Sequence, residues 1–254
     1  HQIASWLGID HPPSANLNWM HGWRFYPLFD PKLLPIKAKS KEINLTNHEE
    51  EAIFLRQNGF PSSLAAGSPF LYAQPDKTIH RIPSSALLLS AHSTMENSRK
   101  IDQDALFQKN QPLLESFDTV AQCLGGHDAL LTKKSNSKSE LTIPWITGAW
   151  FTDKNALKRI WILFSSFETI ITNHIGSHIP YALACGCNIK FCEPMYKIDR
   201  ANLIEKEKIY RENPHFFEHM EPYTKLKNLK ELFPQIFKSK KNQDQNAKIG
   251  KELL

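Results

Sequence analysis

The chain has 254 residues, of which 41% are hydrophobic and 11% aromatic, and its formal net charge is +5. That length suits one large domain or two modest ones with a full core. Mean hydropathy is −0.42, and no apolar run approaches the roughly 18 residues of a membrane-spanning helix.

The first 30 residues are aromatic and turn-rich, with Trp6, Trp19, Trp23, Phe25, Tyr26 and Phe29. Residues 17–20 read as a short strand running into His21-Gly22-Trp23-Arg24. A Gly directly after a strand lets backbone or ligand approach closely. Residues 43–46 read as a strand, and 48–58 as a helix with Glu49, Glu50 and Glu51 in its first turn, where the helix dipole favours acids. Thr46 or Asn47 is the expected cap, and Thr46 with Glu49 fits a capping box. A strand over 63–66 is closed by Gly67-Ser68-Pro69, and the polar, proline-bearing stretch 73–83 suits a domain boundary.

Beyond it, strands over 85–90, 119–124 and 141–146 alternate with helices over 101–116 and 154–164. A buried strand at 169–172, the Gly176-Ser177 turn, a helix over 179–184, a stop at Gly186 and a strand at 188–191 complete a βαβ unit. The low-complexity stretch 133–139 reads as a loop. Alternation of this kind predicts a parallel sheet with helices on both faces.

The turns that follow these strands are polar: His92-Ser93, Gly125-Gly126-His127, Gly148 and Gly176-Ser177-His178. In an open parallel sheet they gather along the carboxyl edge, where ligands bind. At Gly176-Ser177-His178 a helix start aims free N–H groups at its surroundings, which suits an anion; a plain N-cap Ser is the alternative. His92 and Ser93 could donate to phosphate oxygens. His21 could serve as a general base and Arg24 as a phosphate clamp. Glu193, just past the last strand, could hold a ribose. Together these residues suggest a phosphorylated ligand, with a nucleotide sugar as the leading candidate.

Other signals are narrower. Cys185, Cys187 and Cys192 fall within eight positions, and Cys123 stands apart. The spacing C-x-C-x4-C is a poor ligand pattern for zinc, even with His174 or His178 nearby, so the thiols read as free and structural in a reducing compartment. The basic residues divide between 32–41 and 225–251. The tail reads as a solvated helix face or as a contact for an anionic membrane surface. No basic-aromatic motif of a nucleic-acid reader occurs, so no nucleic-acid partner is expected. The chain opens at His1 without a signal-peptide pattern, which reads as a truncated start. Missing G-x-x-x-x-G-K-[ST], G-x-G-x-x-G and G-x-S-x-G patterns weigh against ATPases, dinucleotide dehydrogenases and serine hydrolases.

The segments W-M-H-G-W-R, A-A-G-S-P-F-L-Y, L-L-L-S-A-H-S-T and I-I-T-N-H-I-G-S-H-I-P-Y-A-L-A-C-G resemble bacterial glycosyltransferases of capsule and lipopolysaccharide synthesis. They also resemble, in their order, the polyol-phosphate transferases of teichoic acid synthesis. The resemblance covers about residues 17–192. It implies an α/β, GT-B-like fold of two Rossmann-like domains, the N-terminal one short or truncated. Residues 1–75 would be the acceptor-side portion, 83–222 the nucleotide-sugar-binding domain and 223–254 a helical tail closing back on the first. Gly176, Ser177 and His178 would cradle the donor diphosphate with His92 and Ser93, Gly148 and Glu193 would contact the nucleotide, and His21 would face the acceptor. No metal or other cofactor is expected. The implied partners are a nucleotide sugar and a glycan or lipid-linked glycan acceptor, in the cytoplasm, with the basic tail offered to the inner face of the membrane. A nucleotide-sugar epimerase and a non-catalytic nucleotide-binding module are the alternatives.

Overall fold

A computed structural model describes residues 16–73, 78–91, 103–126, 128–129, 143–149, 153–197, 199–206, 208–237 and 242–254. The chain is α/β: two units of parallel strands, the first short, followed by C-terminal helices. The first unit holds β1 (Leu17–Trp19), β2 (Ile43–Thr46), helix α1 (Glu49–Gln57) and β3 (Ser63–Ala65). Its three strands pair in chain order, all parallel. The start of α1 differs from the expected cap. Thr46 ends β2, and its hydroxyl bonds to the Leu64 and His48 carbonyls. The Glu51 carboxylate instead accepts from the backbone N–H of Asn47 and His48, at 3.1 and 3.0 Å. It satisfies donors that a helix start leaves without partners.

The second unit holds β4 (Ile82–Leu89), α2 (Gln103–Leu114), β5 (Thr119–Leu124), β6 (Trp145–Thr147), α3 (Ala156–Ser166), β7 (Phe167–Thr172), α4 (His178–Ala184) and β8 (Asn188–Phe191). Its strand order is β6-β5-β4-β7-β8, all parallel. The order reverses between β4 and β7, the switch point at which a doubly wound sheet opens a crevice. Ala86, Leu87, Ile170 and Ile171 are completely buried, as strands covered on both faces require.

Three devices join the units. The turn from Pro69 to Tyr72 sends Phe70 out of the first unit into the core of the second. There it stacks on Tyr181 at 4.1 Å and on Trp161 at 4.7 Å. Helices α5 (Arg200–Lys206), α6 (Lys208–Glu212) and α7 (Phe216–Met220) follow the second sheet, yet Leu203, Phe216, Phe217 and Met220 pack on Phe25, Tyr26, Phe29 and Leu33 of the first unit. After α8 (Leu226–Leu232) and α9 (Pro234–Phe237), helix α10 (Gln243–Glu252) closes the chain. A Cβ on its Gly250 would sit 2.0 Å from Ala184 N, so α10 and α4 meet backbone to backbone. At the far end of α10, the Leu254 carbonyl accepts from Ser68 N at 2.8 Å, and His48 Nε2 donates to the Leu253 carbonyl at 3.2 Å. The closing helix thus packs on α4 and reaches the first unit at its C-terminal end.

Candidate functional site

The turn after β1 and the turn after β7 lie 154 residues apart and meet directly, with Trp23 N donating to Ser177 Oγ at 2.8 Å. Tyr181 Oη, one turn into α4, donates to the His21 carbonyl at 2.9 Å. Loops after β2 and β3 meet the C-terminal end of the chain, through His48 and Ser68. The turns at the carboxyl ends of β1 and β7 are therefore in direct contact.

On the first side, Gly22 is required by close approach. A Cβ there would lie 3.1 Å from Pro35 Cβ and 3.3 Å from Ser177 Oγ. Its carbonyl accepts from Asn47 Nδ2 at 3.0 Å. His21 reaches solvent, while partial burial and then the Lys37 ammonium hold its pKa below the ordinary 6.5. Both effects disfavour the imidazolium, so His21 is neutral and able to accept a proton near pH 7. Arg24 departs from the expected phosphate clamp. Its guanidinium faces Glu50, the fully buried Glu51 at 3.1 Å and the Tyr26 carbonyl. Its charge is engaged in holding the turn to α1, and only 11% of its side chain is exposed.

On the second side, Ser177 has helical φ and ψ of −58° and −23° and no capping bond. Its oxygen serves the Trp23 N–H instead, so its own hydrogen has no acceptor among the described residues. Thr172 lies beneath. Its hydroxyl sits 3.2 Å from His174 Nδ1 and 3.0 Å from His178 Nε2, and the two rings are 4.3 Å apart. One hydroxyl hydrogen serves one partner at a time, so at least one imidazole turns an N–H toward that oxygen. Gly176 leaves room for this pair, since a Cβ there would come within 3.2 Å of His178 Nδ1.

Sequence reasoning missed Asn173, the hub of the switch point. Its Oδ1 accepts from Ala91 N at the end of β4, its carbonyl from Tyr196 N, and its Nδ2 donates to the Pro194 carbonyl after β8. One buried amide thus ties three strand ends together. The polar pattern T-N-H after an apolar strand was the available signal. Thr172 was read only as a strand end, and His174 was weighed only as a zinc ligand.

The remaining expected residues lie farther along the edge. Gly148 N donates to the Leu124 carbonyl at 2.8 Å, and its α-carbon packs near Cys123 Sγ. Arg159, not anticipated, donates to the carbonyl and hydroxyl of Thr147 there. The backbone of Glu193 accepts from Asn110 Nδ2 and donates to Asn110 Oδ1, while its exposed carboxylate lies 3.9 Å from Lys109 Nζ. His92, Ser93 and His127, and the 133–139 loop, lie outside the described residues.

The thiols are structural. Cys187 Sγ donates to the Phe164 carbonyl at 3.0 Å. Burial pushes the Cys187 and Cys192 thiols up to about 12, Cys123 to about 11 and Cys185 well above its usual range. Cys185 and Cys187 follow the C-terminal end of α4, whereas His174 and His178 flank its start, so the two sets do not share a site. Among the described residues no group of three His, Cys, Asp or Glu could hold a metal ion.

No family model matches the chain, and no curated protein sequence matches it either. Two solved structures resemble it in part. The wall teichoic acid polymerase TagF with CDPG is 13% identical with a TM-score of 0.36, over 83% of this chain and 55% of that one. The GtfA/B complex is 10% identical with a TM-score of 0.33, over 81% and 46%. The chain spans about half the length of each of those solved chains.

Proposed function

We propose that this chain carries the cleft of a glycosyltransferase that moves a sugar from a nucleotide-sugar donor to a surface-glycan acceptor. The observation that carries this reading is the contact between the His21–Trp23 turn and Ser177, which places the carboxyl ends of β1 and β7 against each other. A donor lies naturally at the β4/β7 switch point, with its diphosphate over Ser177, His178 and His174. The hydroxyl hydrogen of Ser177 and the imidazole N–H groups would stabilise negative charge as the diphosphate leaves. His21, neutral at pH 7 and on the opposite wall, would take the proton of the acceptor hydroxyl as it attacks the sugar carbon. Arg24 acts through Glu51, by positioning the turn that bears His21. Gly148 with Arg159 beyond β6, and Glu193 beyond β8, stand on opposite sides of the switch point, and the nucleoside would extend toward one of them. The basic tail and its membrane contact belong to the same reading, as an approach to lipid-linked acceptors.

Thermal unfolding against a panel of nucleotides and nucleotide sugars tests this first. A donor present at ~100 times its dissociation constant stabilises by roughly 2.7 kcal/mol, seen as a rise of a few degrees in Tm. A selective shift that disappears in His178→Ala supports the donor site. No shift with any nucleotide, in protein shown to be folded, removes the reading. Turnover of the donor without an acceptor would instead indicate an epimerase, and binding without turnover a nucleotide-binding module.

A further inference from the structure

The turn that bears His21 is held from both units. Within the first, His21 N donates to the Pro35 carbonyl at 3.1 Å, and the Gly22 carbonyl accepts from Asn47 Nδ2 at 3.0 Å. From α4, Ser177 Oγ accepts from Trp23 N at 2.8 Å, and Tyr181 Oη donates to the His21 carbonyl at 2.9 Å. Residues four apart on a helix share a face, and Tyr181 N closes that turn on the Ser177 carbonyl at 3.2 Å. A single bond acts as a pivot. A second bond one helical turn away also fixes the angle between the His21 turn and α4.

The Tyr181 hydroxyl is held ready for that bond. Tyr181 is 5% exposed, and its ring lies on Phe70 with centroids 4.1 Å apart and planes 8° from parallel. This packing locks the ring before the hydroxyl finds its acceptor. Burial raises its pKa above the ordinary 10, against a smaller lowering by the Ser68 hydroxyl, so the hydroxyl keeps its hydrogen at neutral pH. The His21 side chain is exposed, and its direction depends on the backbone that carries it.

We propose that Tyr181 is a positioning residue, which acts through the His21 carbonyl to fix the base opposite the start of α4, where the donor diphosphate would lie. The role rests on the transferase reading above. Because the bond goes to backbone and not to the imidazole, its loss leaves His21 able to take a proton but no longer holds it in place, and small displacements of a reacting group are costly.

Tyr181→Phe keeps the ring on Phe70 and removes only the donor. In the full chain, deuterium exchange is read over residues 20–25, and the His21 ring is titrated by NMR without and with saturating UDP, CDP or GDP, whichever raises Tm most. In the parent a bound diphosphate opposite His21 favours the imidazolium, so the titration midpoint rises. In Tyr181→Phe, exchange over 20–25 should be severalfold faster with β2 unchanged. Most of the diphosphate-induced rise should be lost, although the nucleotide raises Tm as much as before. A residue serving stability alone would lower Tm and leave that rise intact, which overturns the proposal, as does unchanged exchange. A parent in which none of the three nucleotides moves Tm or His21 removes the transferase reading and the role at the donor with it, and faster exchange would then leave only the clamp.

Discussion

The two sheets are held together by different forces. Strands β4 and β7 bury Ala86, Leu87, Ile170 and Ile171 between helices, so volume and apolar area dominate there. The first sheet buries Asn44, Thr46, Ser63 and Glu51, and its order depends on bonds among them: Asn44 Oδ1 accepts from Lys39 N, and Glu51 collects Asn47 N, His48 N and Arg24 Nε. Between the strands and helices of the second sheet cavities should therefore do the most damage, and on the buried face of the first sheet the loss of one polar partner should. The first unit also depends on the second for Phe70 and Trp23, so damage on either side reaches the cleft.

The largest effects test that contrast. Glu51→Ala leaves Arg24 Nε and two backbone N–H groups without their acceptor. It should cost about 3–5 kcal/mol in urea unfolding, since one half of a buried ion pair is removed. Phe70→Ala should cost about 3–5 kcal/mol for a different reason, the cavity left between Tyr181 and Trp161. Refilling with Phe70→Leu should recover part of that loss, whereas Glu51→Leu should recover little. If Glu51→Leu matched the parent, the polar account of the first unit would fail.

Gly250→Ala follows, because its methyl would meet the backbone of α4 and something must shift. A loss of roughly 1–3 kcal/mol is expected, with nucleotide binding weakened although no cleft residue has changed. Unaltered stability would mean that α10 slides freely on α4. Ser177→Ala should cost about 1–3 kcal/mol by leaving the Trp23 N–H without its acceptor. It should also weaken donor binding, and retention of both would separate Ser177 from the site.

The smallest effect is a pH dependence from His21. Its folded pKa lies below 6.5, so as pH falls the unfolded chain takes the proton first. Stability is then complete above 6.5 and declines as pH drops through the window down to the folded pKa. His21→Gln should flatten that segment of a plot of urea midpoint against pH. If His21 is the base, the same variant should also remove the acid limb of the rate profile, with its midpoint below 6.5.

Much of the local layout was legible because it depends on short-range pattern. Strands 119–124 and 188–191 and the α1 segment follow from hydrophobic alternation, acidic residues at a helix start and Gly stops, all within a few positions. The polar turns after β1 and β7 were legible as turns, because Gly beside Ser or His interrupts an apolar run. Their meeting was not, since no periodicity links residues 154 positions apart. The cap of α1 was misread because Thr46 and Asn47 both qualify by type. The cap is His48 instead, with Glu51 three residues on closing the box.

The sequence by itself determined an α/β chain of parallel strands with polar turns at their carboxyl ends, because side-chain period and turn chemistry are local properties. Only the tertiary structure decided what each polar group is free to do. It engaged Arg24 with two glutamates, turned Ser177 from a helix cap into a bridge between units, and gathered His174 and His178 around Thr172. A charge or hydroxyl acts according to its neighbours, and in a fold of long-range contacts those neighbours come from distant parts of the chain.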